Sequence, residues 1–227
     1  MEDRSLSANR LARLRATLDR RQPDLRVLMG QVDKPHNLSA ILRTCDATGV
    51  FQAHAVLPGR ELEIHRHCSA GAGRWVRVVT HDHIQQGIQA LQAEGLQVYA
   101  AHQSPQSVDF RQIDYTRPTA VLMGAERWGI SAPAAAAVDG HLTVPMMGLV
   151  ESLNVSVAAA VILFEAQRQR EAAGFYDAPR LDPETYRVTL FEWLHPRLAE
   201  HCRARGLPYP ALDEEGDPIR SSKASRA

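Results

Sequence analysis

Val144-Pro145-Met146-Met147-Gly148-Leu149-Val150-Glu151-Ser152-Leu153-Asn154-Val155-Ser156-Val157-Ala158 joins the end of an apolar run to a glycine loop and then to the most apolar helical stretch in the chain. A strand that ends in such a loop and passes directly into a helix is the building unit of an α/β fold with a parallel sheet. The helix is expected over residues 154–169. Its Ala158-Ala159-Ala160 run suits close approach of another helix or subunit. Asn154 is a good helix cap, because a side-chain amide oxygen can accept from an otherwise orphaned N–H.

Two earlier stretches share this character: Asn37-Leu38-Ser39-Ala40-Ile41-Leu42-Arg43 and Met123-Gly124-Ala125-Glu126-Arg127-Trp128-Gly129. Working outward, residues 26–165 alternate short apolar runs with helical patterns. Strands are expected at 26–32, 52–57, 76–80, 97–101, 120–123 and 141–144. A helix over 37–48 is closed by Gly49 and one over 84–94 by Gly95, the latter with Ile84, Ile88 and Leu91 on one face. Asn37 reads as the N-cap of the first. Glycines at 124, 129 and 148 permit backbone conformations closed to other residues and let a ligand approach the main chain. Gly71-Ala72-Gly73 lacks the third glycine of a dinucleotide fingerprint and opens no helix after a strand, so it is no cofactor loop.

Before this core, Leu6, Leu11, Leu14 and Leu18 recur at helical spacing, with Arg10, Arg13, Arg20 and Arg21 on other faces. That reads as an amphipathic helix over 6–22 ended by Pro23, either packed on the core or touching an anionic partner. After the core, residues 182–206 form a helical segment with Leu190, Phe191, Trp193 and Leu194 as apolar surface, broken at Pro196. Beyond Pro208 the Asp, Glu, Pro, Ser and Gly content predicts disorder. The expected organisation is a basic N-terminal helix (1–25), an α/β domain (26–170), a helical extension (171–207) and a loose tail (208–227).

The formal net charge of zero argues at first against a nucleic-acid partner. However, 24 of the 26 basic residues are Arg, and residues 1–25 hold six of them against four acids. Guanidinium matches phosphate bidentately where an ammonium cannot. No apolar run approaches the roughly 20 residues that cross a bilayer, and no secretory-type apolar core opens the chain. Cys45, Cys68 and Cys202 show no metal-ligand spacing, which points to a reducing, cytoplasmic setting.

In their order and spacing, the three stretches resemble the three signature motifs of the SpoU class of RNA ribose 2′-O-methyltransferases, in the SPOUT superfamily. The resemblance implies a parallel sheet flanked by helices and a deep C-terminal trefoil knot over about residues 120–168, which periodicity does not reveal. It also implies a homodimer using S-adenosyl-L-methionine and no metal. Carried over by position, it assigns Ala101, Gly124, Val144, Met146 and Leu153 to the cofactor. Asn37, Arg43, Glu126, Ser152 and Asn154 go to the chemistry. The Arg is proposed in the family to take the proton of the ribose 2′-hydroxyl. Guanidinium is effectively always protonated, so Arg43 either has a lowered proton affinity or stays charged, clamps phosphate and orients the hydroxyl. Glu126 is expected to anchor this apparatus.

The flanking segments resemble the tRNA branch of the class, which methylates the D-loop guanosine at position 18. The RNA contacts expected on that basis are Arg10, Arg13, Arg21, Lys34, His36, Arg168 and Arg170. Trp128 is either a base-stacking platform or a core plug. A ribosomal-RNA ribose methyltransferase and a catalytically silent RNA-binding protein are the alternatives, and intact motif residues speak against the second. His65, His67, His81 and His83 read as surface residues.

Overall fold

The computed structural model describes residues 2–30, 32, 34–57, 72–125 and 129–219. They divide into two compact units, residues 22–177 and the two chain ends together, 1–21 with 178–227.

The larger unit contains β1 (Gln22–Met29), α2 (Pro35–Ala47), β2 (Val50–Val56), β3 (Arg77–His81), α3 (Ile84–Ala93), β4 (Gln97–Ala101) and β5 (Val108–Asp109). Then follow β6 (Thr119–Met123), α4 (Ala132–Ala137), β7 (Gly140–Thr143) and α5 (Val155–Ala172). The seven strands run parallel in the order β3-β2-β1-β6-β4-β7-β5. A parallel sheet needs both faces covered, and the strand period of two supplies both. Val27, Met29, Ala53, Ala55, Val121 and Met123 meet Leu38, Ile41 and Leu42 of α2 and Ile162 and Leu163 of α5. Leu28, Val98, Ala100 and Leu122 meet Ile88 and Leu91 of α3 and Ala134 of α4 on the other face. Each fully buried Val, Leu, Ile or Met among them contributes about 1.5–3 kcal/mol. Truncating Ile162 to Ala would cost about 2–5 kcal/mol.

The polar residue that closes the stripe of α5 is Arg170. Ala159, Ile162, Leu163, Ala166 and Arg170 share its buried face, and Arg170 has no exposed surface. Its guanidinium donates to Asp24 Oδ1 at 2.6 Å, Gln22 Oε1 at 3.1 Å and the carbonyls of Tyr115, Asp24 and Arg117 at 2.8–3.2 Å. A buried charge is tolerable when it is paired and fully hydrogen-bonded, and here β1, α5 and the 115–117 turn are pinned by one side chain. The expectation that Arg170 grips RNA is therefore corrected.

The smaller unit contains α1 (Glu2–Leu18), α6 (Pro183–Leu194) and α7 (Pro196–Ala204). Leu11, Leu14 and Leu18 form the buried stripe of α1, and Arg21, the next position in that period, is buried with its guanidinium 5.4 Å from the Trp193 ring centre. Arg21 is thus withdrawn from solvent, contrary to an RNA role. Tyr186 donates to Asp19 at 2.7 Å.

Three sequence boundaries move. The first helix ends at Leu18, and Pro23 lies inside β1, whose register shifts between Gln22 and Arg26 because proline offers no ladder N–H. The expected loose tail folds over residues 211–219 around a bridge between Leu212 and Pro218, with Gly216 at φ +85° accepting from His195 at 2.7 Å. Residues 220–227 lie outside the described residues. β5 and α4 were not expected: one is two residues long and the other is nearly all alanine, so neither shows a period.

Candidate active site

All cofactor candidates converge at the C-terminal ends of β4, β6 and β7, where ligands bind in open parallel sheets. Ala101, Gly124, Val144, Met146 and Leu153 line one cavity of about 550 Å³. Ser152, Asn154 and Lys34 line it too, with Met123, Leu142, Val155, Ala158 and Ile162 giving it an apolar floor. Its volume lies within the range of small-molecule sites.

The loop after β6 is folded by mutual backbone bonds: Ala125 N–H donates to the Gly129 carbonyl, and Gly129 N–H to that of Ala125, both at 2.9 Å. This brings Gly129 so close to Gly124 that a Cβ on Gly124 would lie 2.7 Å from the Gly129 carbonyl carbon. Gly129 itself sits at φ +64°. Gly148 is neither crowded nor left-handed, so its expected conformational role is corrected. Glu126, Arg127 and Trp128 lie outside the described residues, as do His65, His67 and Cys68.

Asn154 couples the other two motifs. As the N-cap of α5 its Oδ1 accepts from Ser156 N at 2.9 Å and Ser156 Oγ at 2.7 Å, while its Nδ2 donates to Asn37 Oδ1 at 3.3 Å. Asn37 is buried in the first turn of α2, whose N-cap is Lys34 with Pro35 next in the chain. The expected capping role of Asn37 is therefore corrected: it fastens α2 to α5. Leu38, Ile41, Leu42 and Cys45 share its buried side, and Arg43 is exposed on the opposite side of the helix. Arg43 does not line the cavity.

The remaining RNA candidates separate. Lys34 and His36 are exposed at the start of α2. Arg13 is exposed on α1. Arg10 donates to the carbonyls of Trp193 at 3.3 Å and Leu194 at 3.5 Å, closing the end of α6. Arg168 is exposed but holds Glu165 through two bonds of 2.9 and 2.7 Å.

Sequence reasoning missed His102, Gln103, Thr143 and Glu151 in the cavity wall. Their signal was position, since each directly follows, ends or extends a strand-end motif already singled out. His102 Nε2 lies 2.8 Å from His141 Nδ1, and burial, then His141, hold its pKa below the ordinary value. His81 is no free surface group: its Nε2 lies 2.9 Å from His54 Nδ1, and the two rings stack. Burial is the main cause that brings His54 down to about 4.

The SpoU rRNA methylase family matches residues 24–164, and its C-terminal companion matches residues 168–221. The chain belongs to the SpoU methylase family. A Thermus thermophilus tRNA (guanosine(18)-2′-O)-methyltransferase is 55% identical over 185 residues, covering 82% of this chain and 95% of that protein. The crystal structure of the Aquifex aeolicus TrmH/SpoU tRNA modifying enzyme superposes with a TM-score of 0.77 at 39% identity, over 84% of this chain and 98% of that one. An AdoMet-bound rRNA methyltransferase from Sinorhizobium meliloti superposes at 0.58 and 31% identity, over 68% and 59%. The Sinorhizobium meliloti structure was solved with AdoMet bound.

Proposed function

We propose that the chain transfers a methyl group from S-adenosylmethionine to the ribose 2′-oxygen of guanosine 18 in the tRNA D-loop. The observation that carries this is the cavity at the ends of β4, β6 and β7, whose lining residue Asn154 is tied by its hydrogen bond to Asn37, joining the first and third motifs. Its apolar floor, close-packed Gly124 loop and polar rim suit an adenosyl and methionyl ligand. The tRNA substrate follows from likeness to the Thermus thermophilus enzyme over nearly its whole length.

The bound donor supplies an electrophilic methyl carbon. The chain's residues must hold the ribose oxygen in line with it, a positioning effect worth several orders of magnitude in rate. Asn154 and Ser152 orient the sugar, and Asn37 fixes Asn154. Arg43 clamps the adjacent phosphate and orients the 2′-hydroxyl, whose proton passes to solvent as the new oxygen–carbon bond forms. Glu126 steadies the loop between.

Because Arg43 is exposed and lies outside the lining of its own chain's cavity, a homodimer in which a second copy brings its Arg43 to this site completes the constellation. Met147 and Leu149 are almost fully exposed, and Val150, Val157 and Phe164 are exposed beside them in sequence, an apolar surface that dimerisation would cover. The knot is part of the same reading: β6 is inserted between β1 and β4, and β7 between β4 and β5, each later in the chain than its neighbour β4. The cytoplasm, where tRNA is modified, is the proposed location. Among the described residues no helix is long and apolar enough to cross a membrane, and no cluster of metal ligands occurs.

The test is to incubate the protein with unmodified tRNA and isotope-labelled donor, then locate the label by digestion and mass spectrometry. Label on the ribose of guanosine 18 is expected. Label on a nucleobase or on another ribose, or no label on the tRNA, would overturn the reading.

A further inference from the structure

Electrostatics sets the cavity a problem that its shape does not. S-adenosylmethionine carries a sulfonium, which becomes a neutral thioether when the methyl carbon leaves, with the bonding electron pair staying on sulfur. The spent product keeps the same adenosyl and amino-acid parts. A site that binds both equally well is inhibited by its own product.

The described lining would favour the wrong one. The N-terminus of α5 at Asn154 and Val155 presents to the cavity the positive end of an 18-residue helix dipole. That end opposes the sulfonium, which only the donor carries; the zwitterionic amino-acid part is common to both ligands. Against it stands Glu151, which among the described lining residues is the one acid. It is exposed on the loop between β7 and α5, and no ion pair or hydrogen bond engages it among the described residues.

We propose that Glu151 is the counter-charge that selects the cationic methyl donor over the neutral spent product. This rests on the reading of the cavity as the S-adenosylmethionine site. Carboxylates that serve structure in this chain hold partners, as Asp24 holds Arg170 and Glu165 holds Arg168. Glu151 has no such partner among the described residues of its own chain. Solvent at the rim screens the interaction, so the preference it imparts is about tenfold rather than the far larger factor of a dry interior.

The experiment is calorimetric titration of the full chain and of Glu151→Gln with three ligands. These are S-adenosylmethionine, S-adenosylhomocysteine and sinefungin, which carries an ammonium where the donor has its sulfonium. The substitution is expected to weaken S-adenosylmethionine and sinefungin about tenfold and to leave S-adenosylhomocysteine within twofold. Added salt should shrink the wild-type preference and not the variant's. Equal weakening of all three ligands would assign Glu151 to the shared amino-acid part or to loop support, and overturn the proposal. Unchanged affinities would do the same. If the unsubstituted chain binds none of them, the cofactor reading itself falls.

Discussion

The two units divide the chain's charge unequally. The terminal unit, residues 1–21 with 178–227, carries 14 basic and 11 acidic side chains, a formal +3; residues 22–177 carry 12 and 15, a formal −3. The zero total hides this separation. Positive potential draws the phosphate backbone and sets non-specific affinity, whereas a pocket for a cationic donor gains nothing from it. On the proposed function, attraction for nucleic acid would fall to the chain ends and accommodation of a sulfonium to the larger unit.

Removing the arginine proposed for chemistry separates the two tasks most sharply. Arg43→Ala is expected to lower turnover by at least about 10²–10⁴-fold, leave donor affinity unchanged in calorimetry and leave the fold intact, since the side chain is exposed. Arg43→Lys then distinguishes its roles. A titrating base would shift the pH–rate profile in that variant, and a charged clamp would lower the rate at every pH alike. Residual turnover within tenfold of the parent would remove Arg43 from the reaction. Next in size is the buried arginine of the same unit. Arg170→Met removes one donor from Asp24 and one from each of three carbonyls, at a cost of about 3–5 kcal/mol in chemical denaturation. A loss under 1 kcal/mol would show that the network is dispensable.

Arg170 and Arg21 also show where sequence reading stopped short. The alternation of strands and helices was legible because burial imposes periods of 2 and 3.6 on apolar residues. The cavity was legible because its wall is built from motif residues at strand ends. Both arginines were read by charge as surface groups. Each nevertheless continues an apolar stripe, Arg21 after Leu11, Leu14 and Leu18, and Arg170 after Ile162, Leu163 and Ala166. The period carried the information and the residue type obscured it. What the sequence could not hold was pairing across the fold: the Asn37–Asn154 bond spans 117 positions, and the His54–His81 contact joins neighbouring strands 27 residues apart. Strand order, too, depends on which edges meet, and local pattern does not encode it.

That histidine pair gives the larger unit a liability in acid, with His54, His81 and His102 all held below the ordinary imidazole value. Burial, His81 and Arg26 bring His54 to about 4, against 6.5 in a solvated chain. The unfolded chain therefore takes up the proton first as pH falls. Stability is full above about pH 6.5 and declines toward pH 4, by on the order of 2–3 kcal/mol from His54. Denaturant midpoints measured across that window should fall in the parent and flatten in His54→Gln. A parent whose stability is constant from pH 7 to 4.5 would show that the pair accepts a proton without penalty.

The smallest expected effect tests the charge separation itself, with one exposed arginine from each unit. Arg13 lies on α1 among basic neighbours, whereas the guanidinium of Arg168 is bound at both ends of its fork by Glu165. If attraction for RNA resides in the terminal unit, Arg13→Gln should weaken tRNA binding a few-fold. It should also lower the slope of log affinity against log salt by about one, the signature of one lost phosphate contact. Arg168→Gln should leave that slope unchanged, because the carboxylate beside it already offsets the charge and an exposed ion pair of this kind contributes little to stability. The reverse pattern, with the slope falling only for Arg168→Gln, would move the phosphate contact onto the catalytic unit. The formal +3 of the chain ends would then have no bearing on substrate capture.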